Sequence, residues 1–167
     1  MADILTGRRI VVGVDGSAAS DAAVRWAARE ARLRGAILQL VHAHHDEPGA
    51  HAPYAPCQCV TTGDWEHTAA RAVLTNAAGI ARCDLLPAQV TAELAEDLPV
   101  RALLERAADA DMLVLGTSRP APQHGLPPRE MGPVGRDCLR LASCPVVVIS
   151  VSREPLSHQR RTVSTDV

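Results

Sequence analysis

The chain has no lysine and no phenylalanine, and all 17 of its basic residues are arginine. Without lysine there is no Walker-type phosphate-binding residue, which excludes a P-loop NTPase, and no amine for Schiff-base chemistry. Its aromatics are Trp26, Trp65 and Tyr54 alone, too few for the stacking platform that single-stranded nucleic acid prefers. A net charge of −2 also argues against general nucleic-acid binding. No apolar run approaches the ~20 residues needed to cross a bilayer, and residues 1–9 lack the apolar segment of a secretory leader. Cysteines stand at Cys57, Cys59, Cys83, Cys138 and Cys144 without a CxxC pair. An odd count with no leader predicts reduced thiols in a cytoplasm. The absences together predict a cytoplasmic protein with no nucleic-acid partner and no membrane.

What remains is 167 residues, 47% hydrophobic and 22% charged, enough for one domain with a sizeable core. That domain spans 8–151, between a short tail at 1–7 and a polar, Arg-bearing tail at 152–167 that reads as disordered. Ile10-Val11-Val12-Gly13-Val14 is an apolar run of the kind that a parallel strand needs when both faces are covered. Ala18 to Arg34 turns helical, with Arg25, Arg29 and Arg32 on the wet face, Ser17 or Ser20 as cap and Gly35 as stop. Ile37–His42 is a second strand. Residues 44–63 form a loop rich in His, Pro, Gly and Cys, and a helix capped by Asp64 runs to Arg82. Gln89–Leu94 is a third strand, Pro99 opens a helix to Ala108, and Met112–Leu115 is a fourth strand. After a loop at 117–131, a helix at Val134–Leu141 and a strand at Val146–Ile149 close the order. Strands that alternate with helices through crossover-length connections predict an α/β fold, an open parallel sheet with helices on both faces.

The segment with the most chemistry is Gly116, at the end of the fourth strand, followed by the run Gly132-Pro133-Val134-Gly135. A glycine at a strand end is expected to let the backbone turn and a ligand approach, and a helix start offers free N–H groups to a phosphate. Arg119 and Pro133 stand where such a loop needs a bare N–H.

Four pieces in register carry a resemblance: Arg9 to Ser17, the strand ending Leu40-Val41-His42-Ala43, Ala110 to Gly116, and Cys144-Pro145-Val146-Val147-Val148. Together they resemble the universal stress protein family over residues 8–151. The resemblance implies a single Rossmann-like five-stranded sheet of order 3-2-1-4-5, with a ligand at the switch point between strands one and four. It implies a nucleotide site at Gly13, Val14, Asp15, Ala43, Leu115, Gly116, Gly132 and Val134, with Asp15 on the adenosine and Gly13 and Ala43 against the base. ATP-binding members carry G-x2-G-x9-G-[ST] after strand four. Mapped here, the middle glycine falls on Arg119, the hydroxyl on Pro133 and a later hydroxyl on Gly135, and the loop is three residues longer. Each lost hydrogen bond to a charged group is worth about 1.5–3 kcal/mol, so triphosphate binding is expected to be weakened; Arg119 and Arg129 are the candidate replacements on phosphate.

His44, His45, His51, Cys57, Cys59 and His67 fit no metal-finger spacing, and no metal is assigned to them. His42 reads as a satisfied core histidine, and Cys138 and Cys144 as packed thiols. No Ser/His/Asp constellation is visible, so no catalytic residue is assigned. The function expected is regulatory binding of ATP, AMP or cyclic AMP without catalysis; the alternatives are a slow ATP hydrolase and a ligand-free dimeric interaction protein. The resemblance further implies a homodimer in which two Val146–Val151 edge strands meet antiparallel.

Overall fold

A computed structural model of the chain describes residues 7–44, 62–118 and 131–151, with the backbone alone at 62–65 and 118. The chain runs β1 (Arg9–Gly13), α1 (Ala18–Arg34), β2 (Ile37–Ala43), α2 (Thr62–Ala81), β3 (Val90–Ala95), α3 (Pro99–Ala107), β4 (Met112–Ser118), α4 (Pro133–Leu141) and β5 (Val146–Val151). The strands form one parallel sheet in the order β3-β2-β1-β4-β5. The expected α/β class and strand order hold. The expected tail at 152–167, with most of 1–7 and of the His/Cys loop, lies outside the described residues.

The pleat of the central strands divides the core in two. Ile10, Val12, Leu38, Leu40, Met112 and Val114 face α1 and α2, while Val11, Val41, Leu113 and Leu115 face α3 and α4. Alternate residues point to opposite faces, so near-continuous apolar runs are what covering on both sides requires. No phenylalanine fills either layer. α1 instead presents Ala19, Ala23, Ala27, Ala28 and Ala31 to the sheet, each essentially inaccessible, and small side chains let the helix lie close. Arg25, Arg29 and Arg32 are exposed, as the helical spacing predicts. Gly35 closes α1 in the left-handed region at φ 64°. Arg29 and Arg32 reach Asp84 at 3.9 and 3.5 Å, exposed pairs of little energetic weight.

Several boundaries differ from the sequence reading, most by one residue and some by more. α2 starts at Thr62, which puts Asp64 inside the helix instead of at its cap. Gln89 belongs to a 3-10 turn at Pro87–Gln89 that feeds β3. β5 continues to Val151 and β4 to Ser118, so Gly116 lies inside β4 and not at its end. Its backbone does not turn, since positive φ occurs among the described glycines only at Gly7, Gly16 and Gly35. The reason for glycine there is close packing. A Cβ at Gly116 would lie 2.4 Å from the carbonyl carbon and oxygen of Ala19 and 2.5 Å from the amide nitrogen of Ser20.

On the α3 face, Arg106 donates to Glu93 Oε1 from Nη2 and Nε at 2.6 and 3.0 Å, and Gln39 donates to Glu93 Oε2 at 2.9 Å. The Arg106 hydrogen bond is the main reason that the Glu93 carboxyl is held below its ordinary range. Arg9 donates from Nη2 to the Arg106 carbonyl at 3.1 Å. This set ties β2 and β3 to the start of β1 and to the last turn of α3, and none of its side chains lines the cleft.

Two glycine substitutions should therefore have opposite signs. Gly116→Ala forces backbone against backbone and should cost about 2–3 kcal/mol or more. Gly79→Ala, in the last turn of α2 with nothing within 4 Å of the new methyl, should stabilise by about 0.5 kcal/mol. Urea unfolding measures both; a Gly116→Ala variant as stable as the parent would contradict the packing assigned here.

Candidate functional site

β1 and β4 are neighbours, but their connections leave in opposite directions, β1 to β2 and β4 to β5. A crevice opens at such a point beyond the carboxyl ends of the strands. Here it is a cleft of about 380 Å³, within the size range of small-molecule sites. The ends of β1 (Gly13, Val14, Asp15), β2 (Val41, His42, Ala43) and β4 (Leu115, Gly116, Thr117) form its wall. The first turns of α1 (Ser17, Ser20), α3 (Pro99, Leu103) and α4 (Gly132, Pro133, Val134) form its rim. All eight described residues of the expected nucleotide set lie here; Arg119 and Arg129 fall outside the described residues.

The floor is apolar because of its neighbours. A Cβ at Gly13 would meet Leu115 Cδ2 at 2.8 Å and Leu103 Cδ2 at 3.1 Å, so the two leucines fill the space that a side chain there would take. With Val41 and Ala43 they make a slot suited to a flat apolar ring. Asp15 stands at the exposed rim, just before the turn at Gly16, whose φ of 78° suits glycine. Its Oδ1 accepts the Ser17 N–H at 2.9 Å, Ser17 Oγ accepts the Ser20 N–H at 3.1 Å, and Ser20 Oγ donates to the Ser17 carbonyl at 3.0 Å. Ser17 is thus the N-cap of α1. Burial is the largest influence on Asp15 and opposes its charge, but the Ser17 hydroxyl, the Ser17 N–H and the Ser20 hydroxyl together outweigh it. The carboxyl is held below its ordinary value of 3.8. Among the described lining residues Asp15 carries the only fixed charge.

α4 begins differently. Its N-cap is Gly132, with no side-chain hydrogen bond, and Pro133 occupies the first turn. Proline has no N–H, so the first helix position offers no donor. Arg136 is the first residue to bond back, to the Gly132 carbonyl at 3.2 Å, which leaves the Val134 and Gly135 amides as the donors at this end. The side chain of Met131 fills the space beside Gly135, its Cγ 2.6 Å from where a Cβ would be.

Sequence reasoning missed the contribution of α3, since Pro99 and Leu103 reach the cleft only through the crossover. It also placed His42 in the core. The imidazole is half-buried in the cleft wall, and its Nδ1 meets the Val14 carbonyl at 2.6 Å. The His/Cys group is only partly described: the His44 and His67 rings meet edge to face at 5.4 Å, and His44 Nε2 lies 3.8 Å from Glu66. Among the described residues no group of three His, Cys, Asp or Glu is arranged to hold a metal. Cys138 is buried and Cys144 half-buried; burial pushes both thiols up, which makes them poor nucleophiles. Among the described residues no helix is long and apolar enough to cross a membrane.

A doubly wound parallel sheet with an apolar slot and a single carboxylate at its switch point defines the class: an α/β domain with a cleft at the carboxyl ends of its central strands. The family model of the universal stress protein family matches residues 7–150, and the chain belongs to that family. It is 36% identical over 145 residues to a universal stress protein of Mycobacterium tuberculosis, covering 84% of this chain and 47% of the relative. A second protein of that organism is 32% identical over 160 residues, covering 91% and 50%. The chain thus spans about half the length of the curated relatives it matches. Among solved structures, the Archaeoglobus fulgidus universal stress protein in complex with dAMP superposes with a TM-score of 0.64 at 25% identity, covering 85% of this chain and 97% of that one. A universal stress protein in complex with cAMP gives 0.62 at 25% identity, covering 87% and 98%.

The hydrogen bonds at Asp15 have a measurable sign. A carboxyl depressed in the folded state adds stability above its unfolded pKa, and that stability fades as pH falls through the folded one. Carbon-detected NMR titration should find Asp15 ionising below 3.8, the ordinary value, and Ser17→Ala should move it upward and shift acid unfolding to higher pH. An unmoved Asp15 in Ser17→Ala would show that the serine does not hold the carboxylate.

Proposed function

We propose that the chain is a regulatory, non-catalytic protein whose switch-point cleft holds an adenine nucleotide by its adenosine half. The observation that carries this reading is the gathering of Gly13, Val14, Asp15, Ala43, Leu115, Gly116, Gly132 and Val134 around one cleft. Its support among solved relatives is that those in complex with dAMP and with cAMP share the fold at 25% identity. The slot of Leu103, Leu115 and Val41 takes the base, and the ionised Asp15 accepts hydrogen bonds from the sugar. The phosphate end is poorer. Pro133 removes a hydroxyl and an N–H from the start of α4, and Arg119 stands where close approach needs glycine. Two such losses, each about 1.5–3 kcal/mol, weaken a triphosphate by orders of magnitude. ATP, AMP and cyclic AMP are the candidate ligands, with Arg119 or Arg129 as replacement phosphate partners. No catalytic residue is assigned in this reading: His42 is engaged with the Val14 carbonyl, and the Ser17 hydroxyl with the Ser20 N–H and Asp15, so the two form no Ser–His pair.

Homodimerisation through Val146–Val151 belongs to the same reading. β5 is an edge strand of four consecutive aliphatic residues with no charge or proline to block pairing. Val148 belongs to neither core cluster, and α4 exposes Leu139 and Leu141 just before it in the chain. The free thiols of Cys83, Cys138 and Cys144 suit a cytoplasmic setting.

Two measurements test this. AMP, cyclic AMP and ATP should compete within about tenfold of one another, since the lost contacts belong to the outer phosphates. The pair Arg119→Gly with Pro133→Ser should raise ATP affinity more than AMP affinity; calorimetry finding tight ATP and weak AMP in the parent would overturn the reading. Sedimentation should find a dimer at micromolar concentration, and Val148→Lys should shift it to monomer; an unchanged dimer in that variant would place the interface elsewhere.

A further inference from the structure

β1 and β2 pair in register from Arg9↔Ile37 to Gly13↔Val41, and one more bond follows, from the Val14 N–H to the Val41 carbonyl at 2.9 Å. In a parallel ladder the next rung would run from the Ala43 N–H to the Val14 carbonyl. That rung is not made. The Val14 carbonyl is instead met by the imidazole of His42 at 2.6 Å. A carbonyl only accepts, so the ring nitrogen facing it, Nδ1, carries the proton. The exchange has a geometric consequence. A side chain reaches further than a backbone amide, so β1 is free to leave the sheet after Val14 while its last carbonyl stays satisfied. The next residue is Asp15, whose carboxylate the α1 cap then holds.

We propose that His42 is the positioning residue of the cleft: its Nδ1–H bond to Val14 replaces a rung of the ladder and fixes where β1 departs and where Asp15 stands. His42 lines the cleft, and its positioning role runs through Val14 and Asp15. Close contacts on two sides make the arrangement necessary. Leu103 and Leu115 already occupy the space beside Gly13, so β1 cannot settle deeper at this end. Gly116, one strand over, is pressed against α1, so the chain between β1 and α1 has little freedom once its departure point is set.

The test has an arm that needs no ligand. Nitrogen-15 NMR of the imidazoles in the full-length protein at neutral pH should find His42 protonated at Nδ1, and the Asp15 and Gly16 amide resonances should shift in His42→Leu. A His42 proton on Nε2 would overturn the proposal. The second arm rests on the nucleotide reading and uses AMP as probe. His42→Asn places an amide N–H where Nδ1–H stood and should bind AMP within about threefold of the parent. His42→Gln and His42→Leu should lose about five- to tenfold, the share of one hydrogen bond. Because the histidine acts through Asp15, the double variant His42→Leu with Asp15→Asn should bind no more weakly than the worse single variant. Thermal melts confirm that each variant folds. AMP binding undiminished in His42→Leu would refute the positioning role. A parent that binds no AMP would refute the nucleotide reading, and the NMR arm would then decide the role of His42 alone.

Discussion

One bare α-carbon sets the geometry of this protein. At Gly116 the chain of β4 runs directly beneath the first turn of α1, so close that a single methyl would overlap the Ala19 carbonyl. The contact ties the start of the first crossover helix to the strand that is its neighbour across the switch point but distant in sequence. The alanines of α1 extend the same close approach along the sheet. On α1's other side, Val73 of α2 packs against Gly16, 3.1 Å from where a Cβ would be. The turn from β1 to α1 is packed against Val73 at Gly16, the first turn of α1 is packed against Gly116, and the cleft opens beside them.

That arrangement explains which parts were legible in the sequence. The strands were, because a core strand covered on both faces must be apolar at every position, and Val11-Val12 or Leu113-Val114 say so locally. The positions of Asp15, Ala43 and Gly116 were legible from the strand ends and from the family resemblance. The role of Gly116 was not. A glycine near a strand end reads as a turn, and only the packing of a helix some hundred residues earlier reveals that the missing side chain makes room for a backbone. Pro99 and Leu103 escaped notice for the same reason, since a crossover helix meets a cleft through topology and not through local pattern. His42 was read as a satisfied core histidine; that its ring meets the Val14 carbonyl from the cleft wall depends on where β1 stops.

Absence of lysine shapes the chemistry of the cleft as much as any residue within it. A phosphate here has to be met by arginine or by helix amides. At α4 the amides begin one position late because Pro133 has none, and Met131 covers Gly135. The apolar slot and the carboxylate at Asp15 are intact by contrast, and each is held by its own neighbours: the slot by Leu103 and Leu115, the carboxylate by the cap of α1. The two halves of the site therefore depend on different elements.

This separation has a physical basis in the fold. In the proposed reading the base-side residues sit on β1, β2, β4 and α3, whose positions are fixed by the sheet and by the close contacts at Gly13 and Gly116; a change there disturbs the core. The phosphate side sits at the start of α4, where Gly132 and Pro133 are exposed and a substitution alters little but the donors offered to an anion. A chain can lose its phosphate contacts without losing its fold, whereas losing the slot would require moving Leu103 or Leu115 out of the core. Within this architecture the apolar slot is tied to the stability of the core and the first turn of α4 is not, so a substitution such as Pro133 can change the donors offered there while the fold stays as it is.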